Sequence, residues 1–303
     1  MIAIACPGQG SQKVGFLHSW LEIDRFRSDL AMMSEVIGLD LIKHGTVSDE
    51  ETIRQTEIAQ PLIVAASIAT ANLLDLSDVD VVTGHSVGEV AAGYAAGVLD
   101  QTSAIKLVDV RGKAMMAAAK QSEETSMAAV LGGVEDEVLS KLDELDLTPA
   151  NYNGGGQIVA AGLKAQIDEL VANPPSGAKV IPLSVAGAFH TKFMSSAVEN
   201  LGEFVTGLSV GNPKKILLSN QQGQQLSSGS EYIEKLVGQV ANPVRWDLCM
   251  KKMNELGVTG LVELAPGGTL VGLAKRGMPD TNCVALKSPD DLAKANELIA
   301  GDK

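Results

Sequence analysis

Short unbroken apolar runs alternate along this chain with longer segments whose apolar residues recur at three- and four-residue spacing. Ile2–Cys6, Val79–Thr83, Ile216–Asn220, Leu261–Leu264 and Cys283–Leu286 are runs of the first kind. They predict strands covered on both faces. Helical spacing predicts helices over Trp20–Ile37, Glu89–Val98, Gln101–Lys120, Phe193–Leu208, Tyr232–Val240, Trp246–Leu256, Thr269–Arg276 and Asp290–Ala300. Asp49-Glu50-Glu51 suits the first turn of another short helix, where acids meet the positive end of the dipole. A longer helix is expected to start near Gln60-Pro61, with Leu62, Ala66, Ala69 and Leu73 facing the core. Strand followed by helix, repeated through the outer segments, predicts a doubly wound, mainly parallel sheet.

Residues 127–183 have a different rhythm. Strand Met127–Leu131, helix Glu135–Leu145, strand Leu147–Tyr152, strand Gln157–Ala161, helix Lys164–Ala172 and strand Ala178–Leu183 follow one another. That is a βαββαβ order, ferredoxin-like. The expected organisation is α/β: a large domain of residues 1–125 and 187–303, with a small subdomain inserted at 126–186. No internal repeat or low-complexity tract interrupts it.

One pentapeptide carries chemistry. Gly84-His85-Ser86-Val87-Gly88 lies between the second apolar run and a small-residue helical segment. G-x-S-x-G at a strand-to-helix turn is a nucleophile elbow, which makes the large domain α/β-hydrolase-like. The turn exposes the serine Oγ, and the first helical N–H groups can hold an oxyanion. An ordinary tight turn would give the same five letters. Pro7-Gly8-Gln9-Gly10-Ser11-Gln12 breaks the first strand on the same sheet edge. It lacks the lysine of a phosphate loop and the G-x-G-x-x-G spacing. It reads instead as a loop with free N–H groups at the carboxyl end of a strand, where α/β sites lie.

Composition narrows the field. A formal net charge of −13 over 303 residues argues against a nucleic-acid partner. No run approaches the roughly 20 apolar residues of a membrane span. The N-terminus begins with a strand-like run rather than a signal-type segment, and a cytoplasmic location is expected. Cys6, Cys249 and Cys283 are isolated and read as reduced thiols. The scattered His and Cys give no metal-ligand spacing.

A serine nucleophile needs a base. Of four histidines, His18 and His44 have no motif context, and His85 is the neighbour of Ser86 on a turn, where side chains diverge. His190, after a Gly-Ala-Phe bend, is the base by elimination. No acid occupies an obvious orienting position, so a carbonyl is expected to hold the imidazole tautomer. Arg111, within a helix, reads first as a solvated or snorkelling residue, with a ligand role the lesser alternative. Asn151-Tyr152-Asn153 either reaches a ligand or shapes a turn.

Seven motifs then fall in register: Pro7 to Gln12, Gly84 to Glu89, Arg111-Gly112-Lys113, Asn151 to Asn153, Ala188-Phe189-His190-Thr191, Gln239 with Asn242 to Trp246, and Pro266-Gly267-Gly268. Over almost the whole chain this resembles the malonyl-CoA:acyl carrier protein transacylase family of bacterial fatty acid synthesis. The resemblance implies Ser86 as acyl acceptor, His190 as base, and Gln239 as the residue whose carbonyl orients His190. It implies the N–H groups of Gln9 and Val87 as oxyanion hole and Arg111 as clamp for the malonyl carboxylate. Phe189, His85 and Asn153 are expected at the substrate. Malonyl-CoA as donor, the phosphopantetheine thiol of an acyl carrier protein as acceptor, no bound cofactor and a monomer complete the expectation. An acidic carrier would meet local positives, with Lys113, Lys192, Lys275 and Arg276 as candidates. A serine hydrolase or thioesterase, a polyketide-associated malonyl transferase, or a carrier-binding module with an inert elbow are the alternatives.

Overall fold

The computed structural model describes residues 1–301. Its strands, in chain order, are β1 (Ile2–Cys6), β2 (Val81–Gly84), β3 (Thr125–Gly132), β4 (Thr148–Gly154), β5 (Gln157–Leu163), β6 (Ala178–Leu183), β7 (Ile216–Leu218), β8 (Gln225–Leu226), β9 (Val244–Arg245), β10 (Gly260–Glu263) and β11 (Asn282–Ala285). They form two sheets. The larger has the order β11-β10-β1-β2-β7-β8. Its first five strands run parallel, with Ile4 between Val82 and Val262, and only β8 is antiparallel. Parallel strands need crossovers, so helices cover both faces and the strand residues are buried.

The second sheet has the order β6-β3-β5-β4-β9. Its first four strands are mutually antiparallel, and helices Glu135–Glu144 and Lys164–Ala172 pack on one face. The fifth strand comes from outside the expected 126–186 segment. Val244 and Arg245 pair in parallel with Asn151 and Tyr152, tying the late part of the chain to this sheet.

The helix Thr56–Ala71 crosses the centre of the molecule and starts earlier than expected. Pro61 lies inside it, at the sixth position, where it removes one backbone hydrogen bond. Burial outweighs that loss, because nearly every side chain from Ala59 to Ala71 is enclosed, not only the expected Leu62, Ala66 and Ala69 stripe. Leu73 falls beyond the helix end. Ser67 donates to the Ala265 carbonyl at 2.9 Å, and Thr70 accepts from the Ala265 N–H at 3.3 Å, fixing the loop after β10. At the end of β10 the buried Glu263 carboxylate accepts from the N–H groups of Gly268, Leu270 and Val271 at 2.7–2.9 Å, satisfying the first turn of the helix Thr269–Gly277. No helix among the described residues is long and apolar enough to cross a membrane.

Because β1, β2, β7 and β10 run parallel, the loops after them leave one edge of the large sheet. The face of the small sheet carried by Met127, Ala129, Asn151 and Val159 closes over that edge, and a cavity of about 690 Å³ lies between them.

Candidate active site

The elbow forms because three backbone segments nearly touch. A Cβ on Gly84 would stand 2.2 Å from the Gly88 carbonyl, and one on Gly88 would stand 2.1 Å from the Cys6 carbonyl oxygen. Only glycine fits either place. Ser86 between them takes the left-handed conformation, with φ 53°. A serine there is strained by the order of 1 kcal/mol or more and must be held by its surroundings. The Asn220 side chain does part of this: Oδ1 accepts the Ser86 N–H at 2.7 Å and Nδ2 donates to the Gly84 carbonyl at 2.7 Å.

Ser86 Oγ lies 2.8 Å from His190 Nε2, across 104 residues of sequence. His190 Nδ1 lies 2.9 Å from the main-chain oxygen of Gln239. A carbonyl can only accept, so Nδ1 carries the proton and Nε2 is left as an acceptor for the serine hydroxyl. No carboxylate among the described residues bonds to His190. Burial, reinforced by the Arg111 charge, pulls its pKa down from 6.5 to about 3, so the imidazole stays neutral.

Arg111, from the helix Gln101–Gln121, is 1% exposed. Its Nη1 donates to Gln60 Oε1 at 2.7 Å, and its Nη2 reaches Ser86 Oγ at 3.3 Å and Gln239 Oε1 at 3.5 Å. Its Nε has no protein partner. No carboxylate lies within 4.0 Å of it among the described residues, although other arginines of the chain are so paired. Burial lowers the guanidinium to about 10, and the buried Glu89 opposes this. Glu89 itself is raised to about 7 by burial. A desolvated cation with no carboxylate in contact, beside a nucleophile, is chemically suited to receive an anion.

The glycine loop lies against the elbow: the His85 N–H donates to the Cys6 carbonyl at 3.0 Å, and a Cβ on Gly8 would stand 2.8 Å from the His85 oxygen. The N–H groups of Gln9 and Val87 make no bond to protein acceptors among the described residues. His85 turns away from Ser86. Its Nε2 sits 2.8 Å from Asn153 Oδ1 on β4, and its ring lies 5.8 Å from that of Trp246. Gln9, His85, Ser86, Asn153, Phe189 and His190 all line the cavity.

Comparison with known proteins gives the chain its family. The acyl transferase domain family matches residues 4–292. The chain belongs to that family. It is 46% identical over 297 residues to the malonyl CoA-acyl carrier protein transacylase of Mycobacterium tuberculosis, covering 96% of this chain and 98% of that one. The crystal structure of MCAT from Mycobacterium tuberculosis superposes with a TM-score of 0.94 at 43% identity, over 98% of this chain and 100% of the other. A malonyl-transacylase solved in complex with a type II polyketide acyl-carrier protein superposes with a TM-score of 0.90 at 30% identity, over 98% and 99%.

In this acyltransferase the structure brings together residues that no motif marked. Gln60 is 1% exposed and joins Arg111 to Gln9, whose Oε1 lies 3.5 Å from Gln60 Nε2. Asn220 spans the elbow and Gln239. The expected surface cations are less uniform. Lys113 is engaged by Asp109 at 2.7 Å, Lys192 lies 4.0 Å from Asp146, and Arg276 donates to Gln157 at 3.2 Å.

Proposed function

We propose that this acyltransferase moves a malonyl group from malonyl-CoA to the phosphopantetheine thiol of an acyl carrier protein, through a malonyl ester on Ser86. His190 Nε2 takes the Oγ proton as Oγ attacks the thioester carbonyl. The developing oxyanion is received by the unbonded N–H groups of Gln9 and Val87, and one such donor is worth roughly 2.7–4 kcal/mol in a comparable hole. The C–S bond breaks, the proton on His190 passes to the departing thiolate, and the ester remains. The carrier thiol then gives its proton to His190, attacks the ester, and Ser86 is released as the alcohol. The chemistry needs no cofactor beyond the two substrates.

The observation that carries this reading is the buried, unpaired guanidinium of Arg111 within 3.3 Å of Ser86 Oγ. A malonyl carboxylate would supply its missing counter-ion with charge-assisted bonds. The Gln239 carbonyl orients the base. Asn153 holds His85 at the cavity wall, and Phe189 takes up the room a branched acyl chain would need. Lys113, Lys192, Lys275 and Arg276 are the proposed contacts for an acidic carrier. The proposed enzyme acts as a monomer in the cytoplasm, where the free, buried Cys6 and Cys249 would stay reduced.

The test is intact-protein mass spectrometry after mixing with malonyl-CoA. A malonyl adduct on Ser86 that disappears onto added holo carrier protein is expected. No adduct would leave only a binding module, and rapid loss to water without acceptor would indicate a hydrolase. The relative solved with a polyketide carrier favours a second acceptor class, so fatty acid and polyketide carriers belong in the same assay.

A further inference from the structure

We infer that Asn220 is the positioning residue that couples the two halves of the serine–histidine pair. The inference rests on the function proposed for Ser86 and His190, and it concerns how they are held.

Asn220 follows β7, the strand expected to run through it. Pairing with β2 covers only Ile216 and Leu217, because beyond Leu218 the main chain finds other partners. The Asn220 N–H donates to Glu89 Oε1 at 2.9 Å, and its carbonyl accepts from the Arg245 N–H at 2.9 Å. The residue is fully buried and anchored from both sides before its side chain is considered.

The side chain then uses both ends. Nδ2 donates to the Gly84 carbonyl, one residue before His85, and Oδ1 accepts from the Ser86 N–H. These two bonds bracket the left-handed turn and hold the serine in a conformation it would not keep alone. Oδ1 also lies 3.3 Å from Gln239 Nε2, and the Gln239 main-chain oxygen holds His190 Nδ1. One carboxamide therefore reaches the nucleophile through its amide and the base through the residue that orients it. With its own N–H occupied, Ser86 offers no competing donor, and the next N–H, that of Val87, faces the oxyanion.

Asn220→Ala removes the bonds to Gly84, Ser86 and Gln239 and strands the buried Ser86 N–H. Asn220→Asp keeps an acceptor for the Ser86 N–H but replaces the donor with a carboxylate oxygen set against the Gly84 carbonyl and close to Glu89. The expected order of reactivity is wild type, then Asn220→Asp, then Asn220→Ala. Asn220→Ala should be slowed about a hundredfold both in modification of Ser86 by a fluorophosphonate and in kcat for malonyl transfer. KM for malonyl-CoA should stay within about threefold, since Arg111 and the cavity wall are untouched. Fluorophosphonate rates are read on protein whose circular dichroism and melting curve show a folded chain. Rates within threefold of wild type in folded Asn220→Ala would overturn the inference, as would a rise in KM that accounts for the whole loss. If Asn220→Ala does not fold, Asn220→Asp decides: a fluorophosphonate rate equal to wild type counts against it, and a slower rate at unchanged KM supports it. A wild type that takes the fluorophosphonate but no malonyl group would sink the proposed function, and the fluorophosphonate rates would still judge Asn220.

Discussion

Arg111 sits in the helix Gln101–Gln121 and Ser86 in the turn after β2, yet the guanidinium Nη2 lies 3.3 Å from the serine Oγ with no carboxylate within 4.0 Å of it among the described residues. The arginine is thus placed to meet the malonyl group proposed for Ser86. Arg111→Ala should lower kcat/KM for malonyl-CoA by two to three orders of magnitude, in line with the roughly 2–5 kcal/mol lost when one partner of a buried charge pair is truncated. Acetyl-CoA, which has no carboxylate, should be affected far less. Steady-state kinetics with both donors checks this, and equal losses would remove Arg111 from recognition of the acyl group.

Gln60 fixes the direction of that guanidinium through a 2.7 Å bond to Nη1. Gln60→Ala leaves Nη1 without a partner and frees the fork to rotate. A hydrogen bond to a charged group is worth about 1.5–3 kcal/mol, so the malonyl-over-acetyl preference should fall about tenfold or more. Competition between the two donors measures it directly. An unchanged preference would mean that helix packing alone positions Arg111.

His190 is held neutral, and this sets a pH signature. Its folded pKa is depressed from 6.5 to about 3, so the unfolded chain binds a proton in that window and the folded chain does not. Stability is therefore complete above pH 6.5 and declines as pH falls toward 3. At pH 5 the loss through this group is about 2 kcal/mol. His190→Gln should lose less stability between pH 7 and pH 5 than wild type, by urea unfolding. Parallel slopes would show that the ring is not held neutral. By the same logic wild-type kcat/KM should show no inflection near 6.5.

Phe189 lines the cavity beside His190 and is 6% exposed. Phe189→Ser should open space next to the thioester carbonyl and raise methylmalonyl transfer relative to malonyl transfer about tenfold. Paired assays with the two donors give the ratio. A ratio that does not move would assign the ring to core packing.

The elbow was legible because its determinants are adjacent: two glycines and a serine specify the turn locally. His190 was legible by elimination, since three other histidines had no chemical context. Gln60 and Asn220 were not, because their meaning lies in partners 51 and 134 positions away, and neither residue type marks a site in isolation. The start of the central helix was misplaced for a related reason. Pro61 reads as a beginning, but the enclosing core sustains a helical turn ahead of it. The two-residue β8 and β9 carry too few residues for any periodicity to show.

The pairing of β9 with β4 has a consequence for dissecting the molecule. Exchanging residues 125–183 for the equivalent piece of a relative would transplant four strands, leave the fifth behind, and remove the Tyr152 ring over which Arg245 lies at 4.4 Å. The Arg245 N–H also donates to the Asn220 carbonyl at 2.9 Å, so a graft that ignores β9 disturbs the anchor of the elbow as well. A working chimera has to carry Val244 and Arg245 with the insert, as a hinge leaf is moved together with its pin.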